Sequence, residues 1–177
     1  MNFKNKDDEA LFKEMTTAPD RSSVIVSTSY LDDKLTKLLK ECLKKDENYF
    51  RQLFKPTGPL GAMSNKAKLA YLMGLITKEG LEDVLLVADI RNRFAHWAKP
   101  LSFRNKDIRD KVESITLMRR FFDVARPVSN LDQWAAPLSE SKAKQKFVMF
   151  IIFFAQLIES KTIRPSMRKP IGKFDFP

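Results

Sequence analysis

The sequence has few of the residues on which disulfides, metal sites and covalent catalysis depend. Its 177 residues include one cysteine, Cys42, and one histidine, His96. A single cysteine excludes a disulfide within the chain, and a zinc site or a Cys–His nucleophile pair is difficult to assemble from so few ligands. We therefore expect a reducing compartment, no bound metal and no cofactor.

Glycines and long apolar runs are also scarce. Five glycines and few alternating β-branched stretches favour helices throughout. The longest apolar run, Phe147 to Ile158, is too short to span a bilayer and predicts a helix that is central or lies at a dimer interface. The first nine residues are too charged for a signal peptide. These features predict a cytoplasmic protein without membrane contact.

Acidic residues are scarce in only one half of the chain. The formal net charge is +10, from 32 basic and 22 acidic side chains. Residues 1–90 hold 14 of each sign, so the whole excess lies in residues 91–177. A one-sided basic excess is typical of proteins that bind a polyanion, although lysine-rich surfaces also keep proteins soluble. The charge favours an anionic partner and leaves solubility as the alternative.

Apolar residues at helical spacing predict an all-α fold, a compact bundle of five to seven helices. Asp20 to Ser23 offer N-cap chemistry for the longest helix, and Ser64 is the expected cap of another. Two prolines and two glycines make 55–61 a rigid, non-helical corner. We divide the chain into a short helix and linker (1–19), a helical domain (20–160) and a basic tail (161–177). The longest predicted helix runs from the cap at 20–23 to about residue 43. Further helices are predicted over about 7–15, 65–76, 81–98, 106–124 and 140–160, and 49–54 is predicted to be a short helix or a turn.

Common functional motifs are missing from the sequence. It has no glycine-rich phosphate loop, no G-x-S-x-G elbow and no EF-hand spacing. The one tight helix–turn–helix candidate, residues 66–96, opens its second helix with Glu82 and Asp83, which would repel DNA phosphates. We therefore expect any contact with DNA to use a non-standard surface.

The most informative segment is Arg91-Asn92-Arg93-Phe94-Ala95-His96, at the predicted end of a helix. Asn92 and His96 share a helix face, whereas Arg91 and His96 are about 140° apart at 100° per residue. An imidazole among guanidiniums suits a phosphodiester, as acid, base or charge stabiliser. The same residue types at a helix end also bind the last free carbonyls and hold the following loop. Both interpretations stay open at this point.

This segment resembles the Arg-x4-6-His signature of HEPN domains, in which Asn commonly follows the Arg. The resemblance implies an all-helical domain that often dimerises. In the ribonuclease members, Arg and His from both protomers form a metal-independent RNA-cleaving site. The positions that would carry such catalysis here are Arg91 and His96.

A longer resemblance, over about residues 21–160, is to the mannitol operon repressor family of bacteria. It rests on Gly58-Pro59-Leu60-Gly61, the helix from Lys66 to Ile76, Glu82-Asp83, and Arg91 to His96. That family is all-helical, lacks a standard DNA-binding motif and is named for repressing mannitol utilisation. Two positions depart from it, because Asn92 and Trp97 stand where acidic residues are expected.

These observations lead to one preferred function and one alternative. The resemblance implies a repressor-like transcriptional regulator that is a homodimer and acts through a partner protein or a basic surface. The alternative is a HEPN-type ribonuclease or RNA-binding protein. Aromatic residues beside the segment (Phe94, Trp97 and Phe103) could stack on bases or belong to the core. The residues expected to bind nucleic acid or another anion are Asn92, Arg93, Lys99, Arg104 and Lys106.

Overall fold

The fold is all-α, as the sequence predicts. A computed structural model describes residues 6–97, 100–117 and 140–159, and these ranges contain seven helices and no strand. None of the helices in these ranges is long and apolar enough to cross a membrane. The helices are α1 (Lys6–Thr17), α2 (Asp20–Cys42), α3 (Glu47–Phe54), α4 (Met63–Leu72), α5 (Lys78–His96), α6 (Lys106–Glu113) and α7 (Glu140–Glu159).

The long helix α2 lies at the centre of the bundle, where it contacts α1, α4, α5 and α7. Its buried face carries leucines at helical spacing, including Leu31, Leu35 and Leu39. Helix α7 packs along α2 and also contacts α1 and α6. Phe147 and Phe150 of α7 are fully buried within the single chain. The apolar run of α7 therefore belongs to the core, and the fold gives it no need for a dimer interface.

Two helix ends differ from the sequence prediction around residues 72–80. Helix α4 ends at Leu72 instead of Ile76, and Gly74 adopts a φ of 69°, a left-handed conformation that glycine accepts readily. Helix α5 already begins at Lys78, because the Thr77 side chain accepts a hydrogen bond from Gly80 N at 3.1 Å. Gly80 thus lies inside a helix and not in the predicted break.

The predicted helix over 106–124 is wrong in its extent. Helix α6 ends at Glu113, and a new helical turn starts at Thr116. The cause is a distant side chain: the Asp83 carboxylate accepts hydrogen bonds from Thr116 N and Leu117 N, each at 2.8 Å. Residues 118–124 of the prediction lie outside the described ranges, as do most of the connection before α7 and the basic tail.

The predicted caps of α2 and α4 are also different in the structure. No side chain caps either helix: Pro19 precedes α2, and Ala62, not Ser64, precedes α4. Asp20 instead ties the N-terminus of α2 to two distant segments. Its carboxylate accepts from Phe103 N at 3.0 Å and forms an ion pair with Lys144 Nζ at 3.2 Å. A residue expected to act locally therefore joins three parts of the fold.

Candidate functional site

The segment singled out in the sequence forms the last turns of α5, which runs without interruption to His96. Phe94 is fully buried and anchors this end of the helix in the core. Arg91, Asn92 and His96 are all exposed. No described residue forms a hydrogen bond or ion pair with the His96 ring. Arg91, Asn92 and His96 are therefore accessible to solvent, but they do not all lie on the same surface.

Arg91 and Asn92 face a surface pocket of about 330 Å³ between α2, α4, α5 and the corner at 55–62. Arg91 donates to Asn92 Oδ1 at 3.2 Å, and no carboxylate among the described residues pairs with its guanidinium. His96 does not line this pocket. We call it the Arg91 pocket; its lining residues are Thr28, Ser29, Asp32, Pro56, Gly61, Ala62, Met63, Ser64, Ala88, Arg91 and Asn92.

One wall of the Arg91 pocket is the tight corner that follows α3. Gly61 N donates to Gly58 O at 3.0 Å, and Asn65 Nδ2 donates to Pro59 O at 2.9 Å. A Cβ added at Gly61 would lie 2.5 Å from the Lys55 carbonyl oxygen, and one at Gly58 would lie equally close to backbone oxygens of α3. Both glycines are needed because backbone approaches backbone there, so the corner is rigid as the sequence predicts.

A buried ion pair adjoins the pocket. Lys66 of α4 is 4% exposed, and its Nζ lies 2.6 Å from Asp32 Oδ2 on α2. The other carboxylate oxygen, Asp32 Oδ1, is buried and has no hydrogen-bond partner among the described residues. A buried acceptor without a donor costs about 1–3 kcal/mol. The pocket therefore contains one neutralised carboxylate with an unmet hydrogen-bonding capacity.

Arg93 faces the opposite way and belongs to a charge cluster between α5 and α6. It forms ion pairs with Asp107 and, at 3.3 Å, with Asp89. Lys111 Nζ lies 2.9 Å from the same Asp89 carboxylate. The hydrogen bond from Lys111 lowers the pKa of Asp89, with partial burial opposing it and Arg93 contributing in the same direction as Lys111. Arg93 therefore holds two helices together, and its charge is already balanced.

The end of α5 carries an exposed tryptophan. Trp97 is 52% exposed, and its own N–H continues the helix by donating to Arg93 O at 3.0 Å. Its carbonyl accepts a 2.8 Å hydrogen bond from the exposed Arg21 of α2. These contacts fix the tryptophan backbone while the ring stays in contact with solvent. We call Arg21, His96 and Trp97 the Trp97 patch.

The remaining predicted anion-binding residues are distributed along the loop and the start of α6. Lys106 is exposed and pairs with Asp110 at 2.6 Å, and the hydrogen bond to that carboxylate raises the pKa of Lys106. Arg104 is exposed at the same helix start, and its backbone N–H donates to Ser102 Oγ at 3.2 Å. Lys99 lies outside the described residues. The described residues that were predicted to bind an anion therefore lie on separate surfaces of the protein.

The three aromatic residues near the segment have different environments. Phe94 and Phe103 are fully buried, with ring centroids 5.5 Å apart, and Phe103 also contacts Phe147 at 5.6 Å. These two are core residues and are unavailable for stacking on bases. Trp97 is the exposed member of the group.

Sequence reasoning missed Asp32, Ser29 and Arg21 as parts of these surfaces. All three lie on α2, which is 49 or more positions away from Arg91 and Trp97 in the chain. Their residue types are ordinary for an exposed helix face. Only the packing of α2 against α5 brings them to the segment.

Comparison with known proteins identifies a family. The model of the mannitol repressor family matches residues 8–159. The mannitol operon repressor of Escherichia coli (strain K12) is 27% identical over 92 residues, which is 50% of this chain and 47% of that protein. The same repressor in Escherichia coli O6:H1 matches equally. The match thus spans about half the length of these curated relatives.

Two solved structures share the fold. One is the complex of MtlR with HPr from Escherichia coli, with a TM-score of 0.65 and 16% identity over 88% of this chain and 100% of that chain. The other is YggD from Shigella flexneri 2a, described as a possible transcriptional regulator, with a TM-score of 0.66 and 12% identity over 89% and 99% of the two chains. These comparisons give no support to the ribonuclease interpretation of Arg91 and His96.

Proposed function

Because the chain belongs to the mannitol repressor family, we propose that it is a repressor-like regulator of bacterial transcription. The curated relatives are named as repressors of the mannitol operon, and a structural neighbour is described as a possible transcriptional regulator. A regulator of bacterial transcription acts in the cytoplasm, where the chromosome is, and the sequence predicts the same location. The target genes are left undefined by the proposal.

The regulator acts through a partner protein and not by inserting a helix into the DNA groove. The tight pair α4–α5 has Glu79 and Glu82 in the first turns of its second helix, and DNA phosphates repel this negative charge. A solved family member was crystallised as a complex with another protein, HPr. We therefore place the regulatory contact between this chain and a protein partner.

The observation that carries this proposal is the exposed Trp97 side chain, whose carbonyl is bonded to the exposed Arg21 guanidinium. Tryptophan and arginine are enriched among the residues that dominate the affinity of protein interfaces, because a large ring excludes water from its neighbours. The backbone of Trp97 is held by Arg21 and by α5, so binding would restrict little beyond the side chain itself. The net positive charge of the chain favours a partner with an acidic surface.

The proposed partner-binding surface therefore includes fewer residues than the anion-binding set predicted from the sequence. Arg93 and Lys106 are paired with carboxylates and contribute to the fold or to helix α6. Arg91 and Asn92 face the Arg91 pocket. We assign the partner contact to the Trp97 patch. A homodimer, also expected from the sequence, stays a prediction, because the apolar run of α7 is buried within the single chain and does not supply its interface.

Regulation is tested by measuring transcripts in cells that lack the gene. The proposal predicts that a defined set of transcripts rises in the deletion strain and returns to the wild-type level when the gene is restored on a plasmid. An unchanged transcript profile in the deletion strain contradicts it.

Partner binding is tested by calorimetric titration with HPr from the same organism. The Trp97→Ala variant should weaken binding about tenfold or more, the loss typical of an interface aromatic. Tyr49→Ala is a matched control, because Tyr49 is a 64% exposed aromatic on α3, outside the patch. Equal affinities of the two variants would remove the Trp97 patch from the interface, and an absence of binding by the wild type would remove HPr as the partner.

A further inference from the structure

The Arg91 pocket has the dimensions and the polar groups of a small-molecule site. Its volume of about 330 Å³ falls within the range of about 300–1,000 Å³ that is usual for ligand pockets. Three helices and a rigid corner form its walls, so it does not depend on a mobile loop. None of the residues of the Trp97 patch lines it.

The positive charge in the pocket is available to a ligand. The Arg91 guanidinium is exposed, and its one described side-chain partner is the neutral Asn92 amide at 3.2 Å. By contrast, Arg93, two residues further along α5, is paired with two carboxylates. The carboxylate in the pocket, Asp32, is itself neutralised by Lys66. The net charge of the pocket is therefore positive, and a guanidinium fork is well suited to a phosphate or carboxylate group.

The other polar groups suit hydroxyls. Ser29 on α2 and Ser64 on α4 both line the pocket and can donate or accept hydrogen bonds. Ser29 is exposed, so a ligand hydroxyl in the pocket can reach its side chain. An anion alone would leave these groups unused.

We propose that the Arg91 pocket binds a small phosphate monoester that also carries hydroxyl groups, such as a sugar or polyol phosphate. Arg91 and Asn92 would hold the phosphate, and Ser29 and Ser64 would contact the hydroxyls. This inference does not rest on the proposed regulatory function, because it concerns a different surface and is tested by direct binding.

The test is isothermal titration of the full chain with glucose 6-phosphate, inorganic phosphate and glucose as probes. Glucose 6-phosphate should bind more tightly than either fragment. Arg91→Ala should weaken its binding about tenfold or more, the loss expected when a charged hydrogen-bonding group is removed. Arg51→Ala is the matched control, since Arg51 is an exposed arginine that donates to a nearby asparagine, Asn48, at 2.8 Å but lies outside the pocket.

A second pair of variants tests the hydroxyl contacts. Ser29→Ala should weaken the binding of glucose 6-phosphate and leave the binding of inorganic phosphate unchanged. Ser22→Ala is the control, because Ser22 is an exposed residue of α2 outside the pocket, and it should change neither affinity. Three results would overturn the proposal: no binding of glucose 6-phosphate at 10 mM (about the weakest affinity that titration resolves), equal losses in Arg91→Ala and Arg51→Ala, or inorganic phosphate binding as tightly as the sugar phosphate. A melting curve of each variant confirms that it is folded.

Discussion

Lys66 Nζ lies 2.6 Å from Asp32 Oδ2, and this buried pair joins α4 to α2 beside the Arg91 pocket. The Lys66 side chain is 5% exposed and that of Asp32 is 29% exposed. The lysine ammonium is therefore the less hydrated of the two charges, and it needs its ion-pair partner more than the carboxylate does. Removing one partner of a buried pair costs about 3–5 kcal/mol, because the other charge is left without compensation.

Asp32→Asn should therefore destabilise the protein by about 2–4 kcal/mol, since it leaves the Lys66 ammonium buried beside a neutral amide. Lys66→Met should lower the stability less, because the Asp32 side chain that it leaves unpaired is 29% exposed, against 5% for Lys66. The double variant should be more stable than the sum of the single losses implies, by about 1 kcal/mol or more. Urea unfolding of the four proteins measures these values, and strictly additive losses would show that the pair is not coupled.

The glycine corner provides a second prediction. Gly61→Ala should destabilise the fold by about 2 kcal/mol or more, because its Cβ would lie 2.5 Å from a backbone oxygen that cannot move independently. Gly80→Ala is the comparison: its Cβ would lie 3.1 Å from the Phe154 ring, so a shift of a few tenths of an ångström relieves the contact without moving backbone. The helix propensity gained there, about 1 kcal/mol, offsets the crowding. Thermal melting of both variants checks the contrast, and similar melting temperatures would contradict it.

Asp83 gives a third prediction, since its buried carboxylate caps the turn that begins at Thr116. Burial raises the pKa of Asp83, while the hydrogen bonds from Leu117 N and Thr116 N act in the opposite direction. Asp83→Ala should cost about 2–4 kcal/mol because it leaves two backbone donors without an acceptor. Asp83→Asn keeps one acceptor and should cost clearly less. Equal losses in chemical denaturation would show that the hydrogen bonds are not what Asp83 contributes.

The charge cluster around Asp89 predicts a pH dependence. The folded-state pKa of Asp89 is lowered, so the ionised carboxylate stabilises the fold above the unfolded pKa of about 4 and this contribution disappears as the pH falls through the lower folded value. At pH 7 Asp89→Asn should lower the free energy of unfolding by up to about 1 kcal/mol. The value is small because the Asp89 side chain is 46% exposed.

The difference in free energy of unfolding between wild type and Asp89→Asn should therefore shrink as the pH falls below about 4. Asp33→Asn is the control, because Asp33 is an exposed acid on α2 and no ion pair involves it among the described residues. Chemical denaturation at pH 7, 4 and 2.5 makes the comparison. A difference that stays constant across this range would exclude an ionic contribution from the cluster.

The sequence was sufficient for the fold class and for the features that depend on neighbouring residues. The sequence located six of the seven helices of the described ranges and left 49–54 as a helix or a turn, and the glycines and prolines of 55–61 located the corner. The long-range contacts could not be predicted. Asp83 ends α6 from a position 33 residues earlier in the chain, and Lys66 pairs with a residue 34 positions away. No local pattern marks such partners, because each is an ordinary charged residue of an amphipathic helix.

In the candidate site too, local features could be predicted from the sequence and long-range contacts could not. The segment Arg91 to His96 ends a helix, as the sequence predicts, and Arg91, Asn92 and His96 are exposed there. Its separation into a pocket side, an ion-paired side and the Trp97 patch required the packing of α2, α4 and α6 around α5. Arg93 illustrates the limit, because Asp107 neutralises it from the next helix.

The most direct test of the account is the transcript profile of a deletion strain that carries either Trp97→Ala or Tyr49→Ala at wild-type protein level. The account predicts that Tyr49→Ala restores repression fully and that Trp97→Ala leaves the affected transcripts close to the level of the deletion strain, with both variants melting like the wild type. Full repression by Trp97→Ala would contradict the claim that the chain regulates through a partner bound at the end of α5.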